Sequence, residues 1–218
     1  MTTLLALDIG GTKVGWGIVE AGDTYEVTER GSIPTDAMRG GADVAARICD
    51  LASSLVASHP QVAGVAVASA GVVDPSTGAI VSATGTMPGW GGTPLGALLQ
   101  EATGLKVRVL NDVHAHGLGE ATLGAGQPYR TVLSIAVGTG IGGALVEDRQ
   151  VFFGSRGIAG HVGHIHHHFA PDMTCSCGRK GHIESFCSGS GITAWYDSLR
   201  GESDPEVDGG RALQELAE

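Results

Sequence analysis

Basic side chains are scarce: 13 Lys and Arg stand against 23 Asp and Glu in 218 residues, a formal net charge of −10. That balance excludes a protein that wraps nucleic acid or lies on an anionic membrane, since both need a cationic face. A small-molecule substrate is expected instead. Long apolar runs are missing as well. No stretch approaches the ~20 residues that span a bilayer, and the opening MTTLLALDIGGTK has neither a basic leader nor a small-residue cleavage site. A cytoplasmic location is therefore expected. Cysteine is limited to Cys49, Cys175, Cys177 and Cys187. In a reducing compartment four thiols are a poor disulfide framework, and the clustering of three of them points to metal or chemistry. Cys-x-x-Cys, the usual redox pair, is absent.

What is present fits a folded α/β chain. An apolar fraction of 42% and 36 glycines suit a globular protein with many tight turns. LLALDIG from Leu4 reads as a buried strand, and GTKVGWGIVE as a second strand beyond a bend at Gly10 and Gly11. Val44, Ile48, Leu51 and Leu55 recur at helical spacing within 42–59. VAGVAVASAGVV from Val62 is a buried strand, and residues 93–104 are a helix stopped by glycine. KVRVLNDVHAHG runs from strand to helix at Asn111-Asp112. A second strand, glycine turn, strand unit follows from Thr131, so one pattern occurs twice. The turn-rich stretch 124–128 divides the chain into expected domains 1–124 and 125–218. Farther on, residues 188–201 predict a short helix, 201–210 a polar loop and 211–218 the start of another helix.

Three clusters carry chemistry. DIGGTK places Asp8 and Thr12 around Gly10 and Gly11, with Lys13 after them. Glycine lets backbone N–H groups approach a phosphate, Thr12 can donate a hydrogen bond, and Asp8 can orient Mg²⁺ through water. The same residues also suit a plain hairpin turn. GTGIGG, containing Gly138, Thr139 and Gly140, is a second such loop, and two are harder to ascribe to chance than one. Asn111-Asp112 ends a strand, where open α/β sheets bind ligands. A carboxylate there can take a hydroxyl proton during phosphoryl transfer, although Asn-Asp serves equally well as a helix N-cap. Last, His164, Cys175, Cys177 and His182 form a ligand set of the kind that structural zinc takes. The adjacent His166, His167 and His168 leave the histidine assignment open. Cys49 and Cys187 are expected to be buried small hydrophobes.

Together LALDIGGTK, LNDVHA, VGTGIGGAL, AGHVGH and CSCGRKGHIES follow the order and spacing of the ROK family of sugar kinases and related repressors. The chain resembles that family from Leu4 onward. The resemblance implies an actin-like, ribonuclease H-like ATPase fold with two α/β domains around a cleft. It also implies transfer of the ATP γ-phosphate to a sugar hydroxyl, with Mg²⁺, a structural zinc ion and a homodimer. By matched position, Asp8, Gly10, Gly11, Thr12 and Lys13 resemble the first phosphate loop, Gly138, Thr139 and Gly140 the second, and Asp112 the catalytic base. Asn111, His161, His164 and Glu184 resemble sugar-binding positions.

Two departures from the family pattern carry information. His182 stands where a third cysteine is usual, and nitrogen can replace sulfur at zinc. His161 stands where glucose-type members have glutamate, as in bacterial N-acetylmannosamine kinases of the family. It exchanges an acceptor-only group for one that donates as well. An N-acetylated hexosamine is therefore expected, N-acetylmannosamine first, with a glucokinase-type enzyme as the alternative. The chain ends at Glu218 before the glycine turn and returning helix of family kinases, so the second domain is expected to be incomplete and ATP affinity weak unless another segment supplies them. A zinc-containing sugar-binding protein without catalysis is thus a second alternative. A repressor is disfavoured, because only seven residues precede Asp8 and the charge is acidic.

Overall fold

In the computed structural model, residues 1–169, 171–201, 203–207 and 209–217 are described; Glu202 and Asp208 of the expected polar loop, and Glu218, lie outside them. The chain divides into two compact units, Met1–Ala115 and His116–Glu218.

The first unit begins with strands β1 (Thr2–Ile9), β2 (Lys13–Ala21) and β3 (Tyr25–Pro34). Helix α1 (Gly41–Ser58) and strand β4 (Val62–Ser69) follow, then the short β5 (Val72–Val73) and β6 (Ile80–Ser82), which pair with each other. Helix α2 (Leu95–Thr103), strand β7 (Lys106–Asn111) and helix α3 (Asp112–Thr122) complete the series, with the division between units falling inside α3. Among the described residues the main sheet has the order β3-β2-β1-β4-β7. β1, β2 and β3 are antiparallel, and β4 and β7 run parallel to β1.

Alternation builds the core. Leu5, Leu7 and Ile9 of β1, Val65 and Val67 of β4, and Val107 and Val109 of β7 are buried at every second position. They form one cluster with Val44 and Ile48 of α1 and with Leu95 and Leu99 of α2. Each such side chain contributes roughly 1.5–3 kcal/mol when fully buried. α2 stops at Gly104, whose φ of 70° is left-handed and whose N–H bonds to the Gln100 carbonyl. β3 has no counterpart in the sequence expectations. Nearly every residue along it is exposed, so it lacks the apolar alternation that marks a half-buried strand, and its charged Glu26, Glu29 and Arg30 suit a sheet edge.

Because β1, β4 and β7 are parallel and in register, their carboxyl ends lie together. Ile9 pairs with Ser69, and Ser69 with Asn111. The first glycine turn and Asn111-Asp112 therefore leave the same end of one sheet, the end at which open α/β sheets gather ligands.

The second unit contains β8 (Thr131–Val137), β9 (Ile141–Glu147) and β10 (Gln150–Val151) in the antiparallel order β10-β9-β8, then α4 (Glu184–Cys187), α5 (Gly189–Leu199) and α6 (Gly209–Ala217). Along β8 Leu133, Ile135 and Val137 are 51%, 54% and 66% exposed. No helix among the described residues is long and apolar enough to cross a membrane.

Candidate functional site

In the first unit the turn after β1 is closed by the Gly10 N–H donating to the Lys13 carbonyl at 3.0 Å. Behind it sits Thr35, fully buried, whose hydroxyl donates to the Gly10 carbonyl at 2.6 Å and whose N–H donates to the Thr12 carbonyl at 3.0 Å. Arg47 fixes Thr35 in turn, donating to the Thr35 and Pro34 carbonyls while Asp43 holds its Nε at 2.8 Å. A Cβ placed on Gly11 would meet nothing within 4 Å, and Gly11 does not have a positive φ. Neither packing nor conformation calls for glycine there, and the room a side chain would take is open for a phosphate to approach the backbone. Asp8, Thr12 and Lys13 are exposed around this turn.

Asn111 is 6% exposed and caps α3. Its Oδ1 accepts the Val113 and His114 N–H groups at 3.2 and 3.3 Å, and its Nδ2 donates to the Gly71 carbonyl at 2.8 Å and to Asp112 Oδ1 at 2.9 Å. The capping role is thus present, and it leaves Asp112 presented at the helix start. Asp112 keeps an exposed face, yet the protein around its carboxylate desolvates it, and that pushes its pKa above the usual carboxylate value. The negative charge of Asp8 pushes the same way, against the Val113 N–H and the Asn111 amide. A carboxylate so raised is a better proton acceptor than one in water.

In the second unit the turn between β8 and β9 is closed by the Gly138 N–H on the Gly140 carbonyl at 2.9 Å. The start of α5 grips its backbone. The Gly189 N–H donates to the Gly138 carbonyl at 2.7 Å, and the Ser190 hydroxyl to the Thr139 carbonyl at 2.7 Å. Ser188, 1% exposed, caps α5 by accepting the Gly191 N–H at 3.0 Å. A Cβ on Gly138, as on Gly11, would meet nothing within 4 Å.

His164, Cys175, Cys177 and His182 come together, with one ligand atom of each within 4.8 Å of all the others. A hairpin-like turn, with Cys175 N–H on the Arg179 carbonyl and Gly178 N–H on the Cys175 carbonyl, both at 2.8 Å, presents the two thiols. His164 Nδ1 lies 3.5 Å from Cys175 Sγ, and His182 Nδ1 lies 3.3 Å from Cys177 Sγ. A tetrahedron with Zn–S of ~2.3 Å and Zn–N of ~2.0–2.1 Å separates S from N by roughly 3.6 Å, so the donors fit a zinc ion in number, type and spacing. Burial, with the nearby Cys177 and Glu184 side chains, pushes the metal-free Cys175 thiol up to about 11. Burial and then the charges of His164, Arg179 and His166 push His182 down, toward the neutral form a metal needs. His167 and His168 stack on each other at 4.5 Å and meet Phe169 edge-on, outside the quartet.

His161 is half-buried at the start of the turn that carries His164, with ring centroids 6.3 Å apart. Glu184 opens α4; its Oε2 accepts the Ile141 N–H at 3.0 Å, and its Oε1 faces Ser176 Oγ at 2.5 Å and Cys175 Sγ at 3.3 Å. Burial alone would raise the Glu184 pKa, but these hydrogen bonds more than offset it and hold the carboxyl below its usual range. The expectation for the remaining cysteines needs correction. Cys187, the last residue of the four-residue α4, is exposed, whereas Cys49 is half-buried and packed against the core of the first unit. The contacts of Thr35, Ser176 and Ser190 have no counterpart in the sequence expectations. Ser188 before Gly-Ser-Gly carries an N-cap signal; Thr35 carries none, because its partners are 23 and 25 residues away in the chain.

The profile described as the ROK family matches residues 4–214. A glucokinase of Halalkalibacterium halodurans is 32% identical over 192 residues, which cover 86% of this chain and 57% of that protein. An N-acetyl-D-glucosamine kinase of Vibrio cholerae is 31% identical over 210 residues, covering 92% of this chain and 68% of the relative. Among solved structures, a ROK family glucokinase from Streptomyces griseus in complex with glucose and AMPPNP superimposes with a TM-score of 0.75. It is 27% identical, and the match covers 90% of this chain and 62% of that one. The chain thus spans between about half and two thirds of the length of these relatives.

Proposed function

The chain belongs to the ROK family, with its actin-like α/β fold, and from that premise we propose that it is the phosphate-loop and sugar-binding portion of an ATP-dependent sugar kinase. The observation that carries this is the pair of turns at Gly11 and Gly138, each holding a glycine that the protein's own packing does not require. The relatives named glucokinase and N-acetyl-D-glucosamine kinase support the reaction class.

In this reading Asp112 accepts the proton of the attacking hydroxyl, and Asn111, matched by resemblance to a sugar-binding position, fixes Asp112 through its amide. That oxygen then bonds to the γ-phosphorus as the bond to the β,γ-bridging oxygen breaks. Backbone N–H groups of Gly11 and Thr12, with Lys13, would cradle phosphate in the first unit and those of Thr139 and Gly140 in the second, Gly10 and Gly138 closing the two turns, and Asp8 would orient Mg²⁺, which would spread the developing charge. His164, Cys175, Cys177 and His182 would hold a zinc ion in a closed, structural set. A homodimer in the cytoplasm completes the proposal.

The sugar is proposed to be N-acetylmannosamine, taken to its 6-phosphate, because His161 can donate to an acetamido carbonyl where a glutamate could not. ADP release measured across N-acetylmannosamine, N-acetylglucosamine and glucose tests this, with turnover of the first expected to exceed the others. Turnover of none would favour a sugar-binding protein without catalysis. The ratio of kcat/KM values for N-acetylmannosamine over glucose should fall at least about tenfold in His161→Glu, as expected for one buried hydrogen bond left unmade. An unchanged ratio would remove His161 from sugar selection.

A further inference from the structure

Helices α1 and α2 of the first unit leave between them a groove of about 740 Å³, a size usual for small-molecule sites. It shares no residue with the glycine turns, Asn111-Asp112 or the metal-binding quartet. We propose that this groove binds a linear ω-amino acid, with its ammonium beside Asp50 and Glu101 and its carboxylate at Thr93. The proposal stands on the first unit's own geometry and is independent of the kinase reading.

The walls are short and apolar. Ala42, Ala46 and Cys49 recur at helical spacing along α1, and Leu98 and Ala102 line the groove from α2, so a methylene chain has room lengthwise. The Gly41 N–H donates to the Pro88 carbonyl at 2.7 Å, and farther along the Ser53 hydroxyl donates to the Ala102 carbonyl at 2.9 Å. The two helices therefore start at the same end of the groove, where their first N–H groups carry a partial positive charge. Thr93 sits at that end and is only 9% exposed. Its N–H donates to the Trp90 carbonyl and its own carbonyl accepts the Ile80 and Leu95 N–H groups, but its hydroxyl has no hydrogen-bond partner among the described residues. Nor does that hydroxyl cap α2, whose N-cap is Pro94. A hydroxyl nine-tenths buried, lining a groove and unused by the protein, is a donor left for a ligand's acceptor. At the other end stand Asp50 and Glu101, both exposed. Burial, and then the charges of these two carboxylates, push the Cys49 thiol above its usual value, which places both of them close to one atom. No Lys, Arg or His lines the groove to neutralise them. From Ala42 to Asp50 the helix rises ~12 Å, at ~1.5 Å per residue. The groove is thus polarised along its length, and a zwitterion of about that length satisfies both ends where a simple cation or anion satisfies one.

Calorimetry with aminobutanoate, aminohexanoate and aminooctanoate at about 0.15 M salt tests this. Aminooctanoate should bind the wild-type chain with a dissociation constant under about 1 mM, and aminobutanoate, too short to reach both ends, at least about tenfold more weakly. Octylamine and octanoate each keep one end of the ligand and so assign the contacts. Thr93→Val should weaken aminooctanoate at least about fivefold, as for one lost hydrogen bond, and change octylamine less than about twofold. Asp50→Asn combined with Glu101→Gln should weaken aminooctanoate and octylamine alike and leave octanoate no weaker. Ala46→Phe fills the groove from an exposed position and should abolish binding at an unchanged melting temperature. Should Thr93→Val fail to fold, Ala46→Phe and the double carboxylate variant still decide the matter. Wild-type protein that binds none of the three amino acids below about 10 mM would overturn the proposal. So would binding that survives Ala46→Phe, equal losses of aminooctanoate and octylamine in Thr93→Val, or octylamine binding more tightly than aminooctanoate.

Discussion

Asp112 sits where desolvation and Asp8 both oppose its negative charge, and this has one consequence for rate and another for stability. Asp112→Asn should lower kcat by roughly 10²–10⁴-fold, the usual worth of a positioned general base, with sugar affinity little changed. Near-normal turnover in a chain that binds ATP would remove Asp112 from the mechanism. In the wild type, kcat/KM should fall as pH drops through the raised pKa, a limb displaced above the ordinary aspartate value of ~3.9. Stability follows the same displacement. The folded state holds this proton more tightly than the unfolded state, so the ionised carboxylate costs stability at neutral pH, and that cost disappears below the ordinary value. Asp112→Asn should therefore melt higher than wild type at pH 7 and at the same temperature near pH 3. Thr35 acts at a distance from any ligand. Thr35→Val keeps the shape, leaves the Gly10 carbonyl without its hydroxyl donor, and should cost about 1–3 kcal/mol of stability. The KM for ATP should rise more than that for sugar, which parallel titrations of both substrates would check.

At the scale of elements, the metal turn yields the plainest measurement. Elemental analysis should find about one zinc per chain, Cys177→Ala should lose it and His182→Cys should keep it, since sulfur and nitrogen both satisfy a tetrahedral site. Metal-free protein with an unchanged melting temperature would refute a structural ion. The sequence made this cluster legible because Cys-x-Cys and the two histidines carry their chemistry in their identities. It made β1, β4 and β7 legible through their apolar and β-branched runs, and α2 through the glycine at its end. β3 stayed hidden because its exposed, charged residues give no pattern. The Glu184 and Thr35 contacts stayed hidden because nothing local requires either partner. The domain boundary proposed at 124–125 followed a turn-rich stretch, whereas the compact units part within α3, where a helix interior gives no compositional signal.

Across the whole molecule, each glycine turn has its own support within its own unit: Thr35 and Arg47 behind the first, Glu184 and α5 behind the second. Sequence reasoning located both turns and neither support, since a turn is written in consecutive residues and its support is not. The acidic balance of −10 adds a general repulsion against non-specific association. One strand works against it. In the order β10-β9-β8 the last strand has one edge without a partner among the described residues, and its Leu133, Ile135 and Val137 line an exposed row. Such a ribbon is adhesive in the practical sense: it favours strand-on-strand growth when protein is concentrated, warmed or has its charge screened by salt. Light scattering during slow warming should rise earlier at about 1 M salt than at about 0.05 M, and Ile135→Lys should delay it without altering zinc content. Equal onset in both proteins would acquit the strand, and storage conditions for this chain would then have to be chosen on other grounds.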